Sequence, residues 1–330
     1  MSRRLLPLAA VAGLSALALA GCVSDVPEPV TSPPDLEASG ALLEPQSDRI
    51  VAETMAELAA ADRARRPGRL NDRVGGDAVT IRGVQYTLAK ADDGPAPVTL
   101  PAEMQAVYVS AADTWPRTMV TVSEQADEDS TPVVMLWVQE DILTDYQMRN
   151  WAHMIPGATL PAMPGPSTGA EQLAMDSDAV SPTPQEVVES YVELLRAGGG
   201  SDLDETFAPD SYRERLFTAR STLTDAAKEA DGEYVETVQP SIANSFAMAT
   251  ADGGALVFAP LTIDSSFTVE DATVSIDEAD QPLLDGELDD TVTHSYLDFI
   301  VIHIPGADAE EGSLPGVVAA EHNLIRVSDS

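Results

Sequence analysis

The chain has 330 residues, of which 44% are hydrophobic, with a mean hydropathy of -0.05. That is enough to bury one large core or two medium ones, and it excludes wholesale disorder. Its 55 acidic residues against 18 basic ones give a net charge of -37, which argues against nucleic acid or anionic lipid head groups as electrostatic partners.

Arg3 and Arg4 precede an apolar run from Leu5 to Ala20 that ends in Leu19-Ala20-Gly21-Cys22. The run is short for a membrane span of about 20 residues, and its positive head, apolar middle and small-residue exit predict a secretory signal over 1–21. The exit resembles the lipobox of bacterial lipoproteins. That resemblance implies cleavage between Gly21 and Cys22, lipid on Cys22, and attachment to the extracytoplasmic face of the cell membrane. Cys22 is the chain's single cysteine, so no internal disulfide is available to it. Ser2-Arg3-Arg4-Leu5-Leu6 partly resembles a twin-arginine signal, but Pro7 and the lack of a cofactor motif favour general secretory export.

Residues 22–46 are rich in proline and polar residues and predict a semi-extended tether. A first α+β half is predicted over 47–160. Its helix starts at Ser47 or Asp48 and runs to about Arg65, burying Ile50, Val51, Met55, Leu58 and Ala61. Arg63, Arg65, Arg66, Arg69 and Arg73 then crowd together. They form a candidate anion-binding site, or a set of cations at a helix C-terminus pairing with surplus carboxylates. Strands are predicted at Val79–Ile81, Val84–Leu88, Ala106–Val109, Thr118–Val122 and Val133–Val138, with a short helix at Tyr146–His153.

A Pro/Gly/Ser-rich linker over 161–182 leads to a second half, 183–330. Thr183-Pro184-Gln185-Glu186 is a capping box opening a helix that buries Val187, Val188, Tyr191, Val192, Leu194 and Leu195 and stops at Gly198. A second helix is predicted over Asp210–Ala230. Strands follow at Tyr234–Val238, Phe246–Thr250, Ala255–Ile263, Val292–Ile304 and Val317–Val327. The fold class is α+β, with helices packed on curved antiparallel sheets. The plan looks NTF2-like or cystatin-like, in one unit or two in tandem.

Read together, Leu100–Ala106, Thr114–Thr118, Trp151–Pro161 and Ala251–Val257 resemble a family of actinobacterial secreted lipoproteins described as a domain of unknown function. The resemblance implies location and architecture and brings no catalytic residues.

The residues themselves name no chemistry. Gly165-Pro166-Ser167-Thr168-Gly169 fits the G-x-S-x-G string, but no predicted strand feeds the elbow that the motif needs. His153, His294, His303 and His322 lack zinc-ligand spacing, and His303 reads as a half-buried sheet residue. Asp202–Glu205 and Asp277–Asp290 lack the glycine and ligand order of a calcium loop. No catalytic residue, metal or cofactor is assigned. The expectation is a lipid-anchored envelope protein that binds a small ligand or partner protein without catalysis. The alternatives are a carboxylate hydrolase acting on sugar or cell-wall polymer, and a structural lipoprotein supporting a membrane complex. A dry apolar concavity would favour binding; two buried, unpaired carboxylates in a cleft would favour hydrolysis.

Overall fold

A computed structural model of the chain describes residues 39–70, 73–127, 130–270, 272–310 and 312–329. Gly21, Cys22 and the tether up to residue 38 lie outside the described residues. From residue 38 onward the chain forms one compact unit.

Helix α1 spans Glu44–Ala64 and presents the expected stripe of Ile50, Val51, Met55, Leu58 and Ala61 to the core. It starts three residues early because Pro45 fits the first turn, and the Gln46 side chain accepts from the Leu43 amide at 2.8 Å. Helix α2, Gly76–Leu88, corrects the two strands predicted there. Val79, Thr80, Ile81 and Val84 suggested strand by their branching. The buried set Ala78, Ile81, Arg82 and Tyr86 instead recurs at helical spacing, and burial of that face overrides propensity.

Four strands form a meander: β1 Met104–Val109, β2 Arg117–Ser123, β3 Val133–Gln139 and β4 Gln147–Met154. Strand β4 replaces the predicted short helix. Met148 and Trp151 are buried in the core beneath α1 and α2, whereas Ala152 faces the other way. A helix could not bury both sides of so thin a layer. The two-residue strand β5, Gln172–Leu173, lies inside the predicted linker.

Helix α3, Pro184–Ala197, begins at the predicted box. The Thr183 hydroxyl accepts from the Glu186 amide, and Glu186 accepts from the Thr183 amide. Helix α4, Ser211–Glu229, is capped by Asp210, whose carboxylate accepts from the Arg213 amide at 2.8 Å. The remaining strands are β6 Glu233–Pro240, β7 Phe246–Ala249, β8 Ala255–Thr268, β9 Leu284–Asp285, β10 Thr291–Ile304 and β11 Gly316–Ser328.

Among the described residues these make one sheet, ordered β1-β2-β3-β4-β11-β10-β8-β7-β5. Strand β6 pairs with the far part of β8, and β9 with the end of β11. All pairings are antiparallel except β9 with β11. The meander joins the long strands through only two residue pairs, Ala319 with Met154 and Ala320 with His153.

One sheet face carries all four helices. The α1 and α2 side chains pack on Met119, Met135, Trp137, Met148 and Trp151. Those of α3 and α4 pack on Val257, Leu261, Ile263, Ile300 and Ile302. On the other face Val120, Leu136 and Ala152 meet Phe258, Phe299 and Val301 in a single cluster. Residues from distant strands touch there, so the sheet is curled and its inner face is filled by its own side chains. The α+β reading of the sequence holds.

Candidate functional site

Strand β10 supplies the centre of the site. Its alternation places Val292, His294, Tyr296 and Asp298 on the helix-bearing face, the same face as Ile300 and Ile302. Neighbouring strands bring Ser265 and Phe267 from β8 and Tyr234 and Glu236 from β6 alongside. His322 on β11 lies directly opposite Asp298. Helix α4 forms one wall, and the loop carrying Val274, Asp277 and Asp280 forms the other. Between them is an open groove of about 580 Å³, lined by Leu223, Tyr234, Phe267, Val292, His294 and Tyr296 among others.

The inner end of this strip is a buried polar chain. Asp298 is 1% exposed. It accepts from the Tyr212 hydroxyl at 2.5 Å and from His322 Nδ1, which lies 2.8 Å from both carboxylate oxygens. Burial pushes the Asp298 carboxyl above its ordinary value, and the bonds from His322 and Tyr212 pull partly against that rise. Tyr296 stacks on His322 with ring centroids 4.1 Å apart and faces His294 at 6.5 Å. Burial, followed by the charges of Asp280 and Asp298, pushes the Tyr296 phenol up to about 12. The imidazole of His294 is pushed down by burial, although Asp280 sits 3.8 Å away.

The carboxylate of Glu236 is clamped by Arg220 through two nitrogens, and it accepts from the Tyr234 hydroxyl at 3.0 Å. Deeper still, Asp210 caps α4, accepts from the Tyr191 hydroxyl and faces Arg213. Each of these buried acids is therefore partnered by two or more groups. A slightly larger cleft of about 620 Å³ runs past Gln105, Tyr108, Met154 and Leu160. Among the described residues, no acid or base other than the Tyr108 phenol lines it, so polar groups converge on the smaller groove.

Of the residues considered from sequence, His294, His322, Asp277 and Asp280 fall at this site; the others lie elsewhere. Gly21 and Cys22 lie outside the described residues. Arg73 pairs with Glu53 at 2.6 Å and Asp145 at 3.4 Å, and the Arg65 guanidinium donates to the Ala89 carbonyl. Arg63, Arg66 and Arg69 are exposed. Because Glu53 lies ten residues before Arg63 on α1, the contact of Arg73 is about 15 Å along the helix from the rest of the cluster. Ser167 sits in a turn, where its carbonyl accepts from the Gly40 amide; no strand runs into it. His153 bonds Glu321 at 2.7 Å, and His303 lies 3.7 Å from Asp252. Among the described residues no group of three or more His, Cys, Asp or Glu side chains is arranged to hold a metal ion. None of the described helices is long and apolar enough to cross a membrane.

Tyr296 and Phe267, which line the groove, and Asp298, Tyr212 and Glu236, which form the buried polar groups beside it, were not singled out from sequence. One signal was present. Asp298 is the only acidic residue in β10, where it directly precedes the apolar run Phe299-Ile300-Val301-Ile302. A lone carboxylate in an apolar strand requires a buried partner.

Comparison with known proteins adds a family model described as a domain of unknown function (DUF8094), which matches residues 53–320. The chain belongs to this family. The match runs from within α1 into the first part of β11 and takes in the residues that line the groove. No curated protein and no solved structure matches the chain.

Proposed function

We propose that this chain is a lipid-anchored, extracytoplasmic protein of the cell envelope that binds a small molecule in the groove between α4 and the 269–280 loop, without transforming it. The observation that carries the binding reading is an aromatic and apolar groove whose buried neighbouring acids are all paired, with only Asp277 and Asp280 at its rim outside that set. Asp298, Glu236 and Asp210 are each held by neighbouring tyrosines, Arg or His. Glycoside hydrolysis needs two carboxyls facing each other across a gap of roughly 5–9 Å, with one free to give a proton and one free to attack or activate water. The anchor reading rests on the Leu19–Cys22 exit and on the resemblance to secreted actinobacterial lipoproteins, with palmitate-type acylation of Cys22 as the attachment.

Native mass spectrometry of the mature protein, purified in detergent from its own envelope, tests the first part. The expected result is a reproducible added mass that disappears on denaturation and is missing from a Tyr296→Ala, Phe267→Ala double variant. A bare mass in both, with unchanged folding, would overturn small-molecule binding. Membrane fractionation tests the second part. Cys22→Ser should move the protein to the soluble fraction, and retention through high salt and carbonate would overturn the anchor.

A further inference from the structure

We infer that the occupant of the groove is a small organic cation whose charged nitrogen carries apolar substituents. This deepens the binding reading above and rests on it. Three aromatic side chains, Tyr234, Phe267 and Tyr296, line the groove; Tyr296 is stacked on His322 and His294, which leaves Phe267 and Tyr234 as the rings without such a partner among the described residues. Ring faces attract cations electrostatically, and most strongly where water is excluded. On the loop wall stand Asp277 and Asp280, at the rim rather than the floor. They lie outside the clamped set of buried acids, so their negative charge is available to an occupant.

Among the described residues, no Lys or Arg contributes to the lining. The nearest guanidinium on α4, that of Arg220, is already neutralised by Glu236. His294 brings no opposing charge near neutral pH, because burial pushes its imidazole down. An anionic ligand would meet two carboxylates and no free cation, in a chain carrying -37 overall. A neutral, purely apolar ligand would leave the rim acids with no role. A compact, strongly hydrated ammonium would gain little from Phe267 and Val292. The alkylated cation matches both surfaces at once, and about 580 Å³ lies in the usual range for small-molecule sites.

The test is titration calorimetry of the full chain in a maltoside detergent, with choline and its uncharged isostere 3,3-dimethylbutan-1-ol. The two ligands differ in charge at nearly constant shape. Choline is expected to bind about tenfold or more tightly than the alcohol. The Asp277→Asn, Asp280→Asn double variant should lose that advantage while still binding the alcohol and melting at the parent temperature. Phe267→Leu should weaken both ligands. Equal binding of the two, or preference for the alcohol, would overturn the cation assignment and leave small-molecule binding intact. Binding of neither up to roughly 10 mM would also overturn it, and the co-purified mass would then decide the binding reading separately.

Discussion

Asp298→Ala is the sharpest test of the buried chain at the head of the groove. The carboxylate is 1% exposed and Tyr212 is equally buried, so water cannot replace the lost partner of the Tyr212 hydroxyl. Hydrogen bonds to a charged group contribute about 1.5–3 kcal/mol each, and a stranded buried donor costs about 1–3 kcal/mol. Against this, alanine removes the cost of burying a carboxylate, the same cost that pushes the Asp298 carboxyl upward. The balance is a loss of roughly 2–4 kcal/mol, or about 5 °C in melting temperature for a chain of this size. Tyr212→Phe alone should lose about 1–2 kcal/mol. The double variant should fall short of the sum by about 1 kcal/mol or more, because phenylalanine leaves no hydroxyl to strand. Urea unfolding followed by circular dichroism measures all three. Asp225→Ala, at an exposed position beside Lys228, serves as a reference expected to change stability by less than about 0.5 kcal/mol. If Asp298→Ala resembled that reference, or if the two changes simply added, the claim that this chain ties α4 to the sheet would be wrong.

Four further outcomes follow from the same unfolding assay. Thr80 lies on the exposed side of α2, so Thr80→Ala should stabilise by a few tenths of a kcal/mol, up to about 0.5, as in any helix; destabilisation would point back to a strand. Thr183→Ala should cost about 1 kcal/mol by removing the acceptor for the Glu186 amide. His294 and His303 are both pushed down by burial, so below about pH 6.5 the unfolded chain takes up protons that the folded chain resists, and stability falls with pH. His294→Asn with His303→Asn should flatten that loss. His153 runs the other way, because its bond to Glu321 raises it. Its contribution is present below about pH 6.5 and is lost as pH rises through the folded value, so Glu321→Gln should remove it. A double His variant with the parent's acid limb, or a Glu321→Gln protein with the parent's neutral limb, would contradict these assignments.

Much of the fold was legible because local chemistry and tertiary packing agree. The Thr183 box, the Asp210 cap and the branched runs in β2, β3, β8, β10 and β11 each specify one state from adjacent residues. Segment 76–88 was misread because its branched residues favour strand whereas its buried face follows helical period, and only the partner surface decides. Pairing of β4 with β11 was beyond local reading, since Met154 and Ala319 meet across the length of the second half. The site was harder still. With 55 acidic residues, no single aspartate stands out by type, and Asp298 is distinguished only by its place in an apolar strand.

The groove itself follows from a mismatch of lengths. Strands β8 and β10 have 14 residues each and extend about 46 Å at strand rise. Helices α3 and α4, with 14 and 19 residues, extend about 21 and 28 Å. Parallel or inclined, neither helix reaches the end of strands that long. The apolar residues under the helices are sealed, as Val257, Ile300 and Ile302 show by their complete burial. Next along β10, Asp298 is still sealed by Tyr212 of α4, and past it the face changes character to Tyr296 and His294. The 269–280 loop supplies only a partial cover, so aromatic and polar groups remain accessible at its margin. A sheet that outruns its helices therefore yields a packed half and an open half on one face. The change of side-chain chemistry along β10 marks the boundary between them.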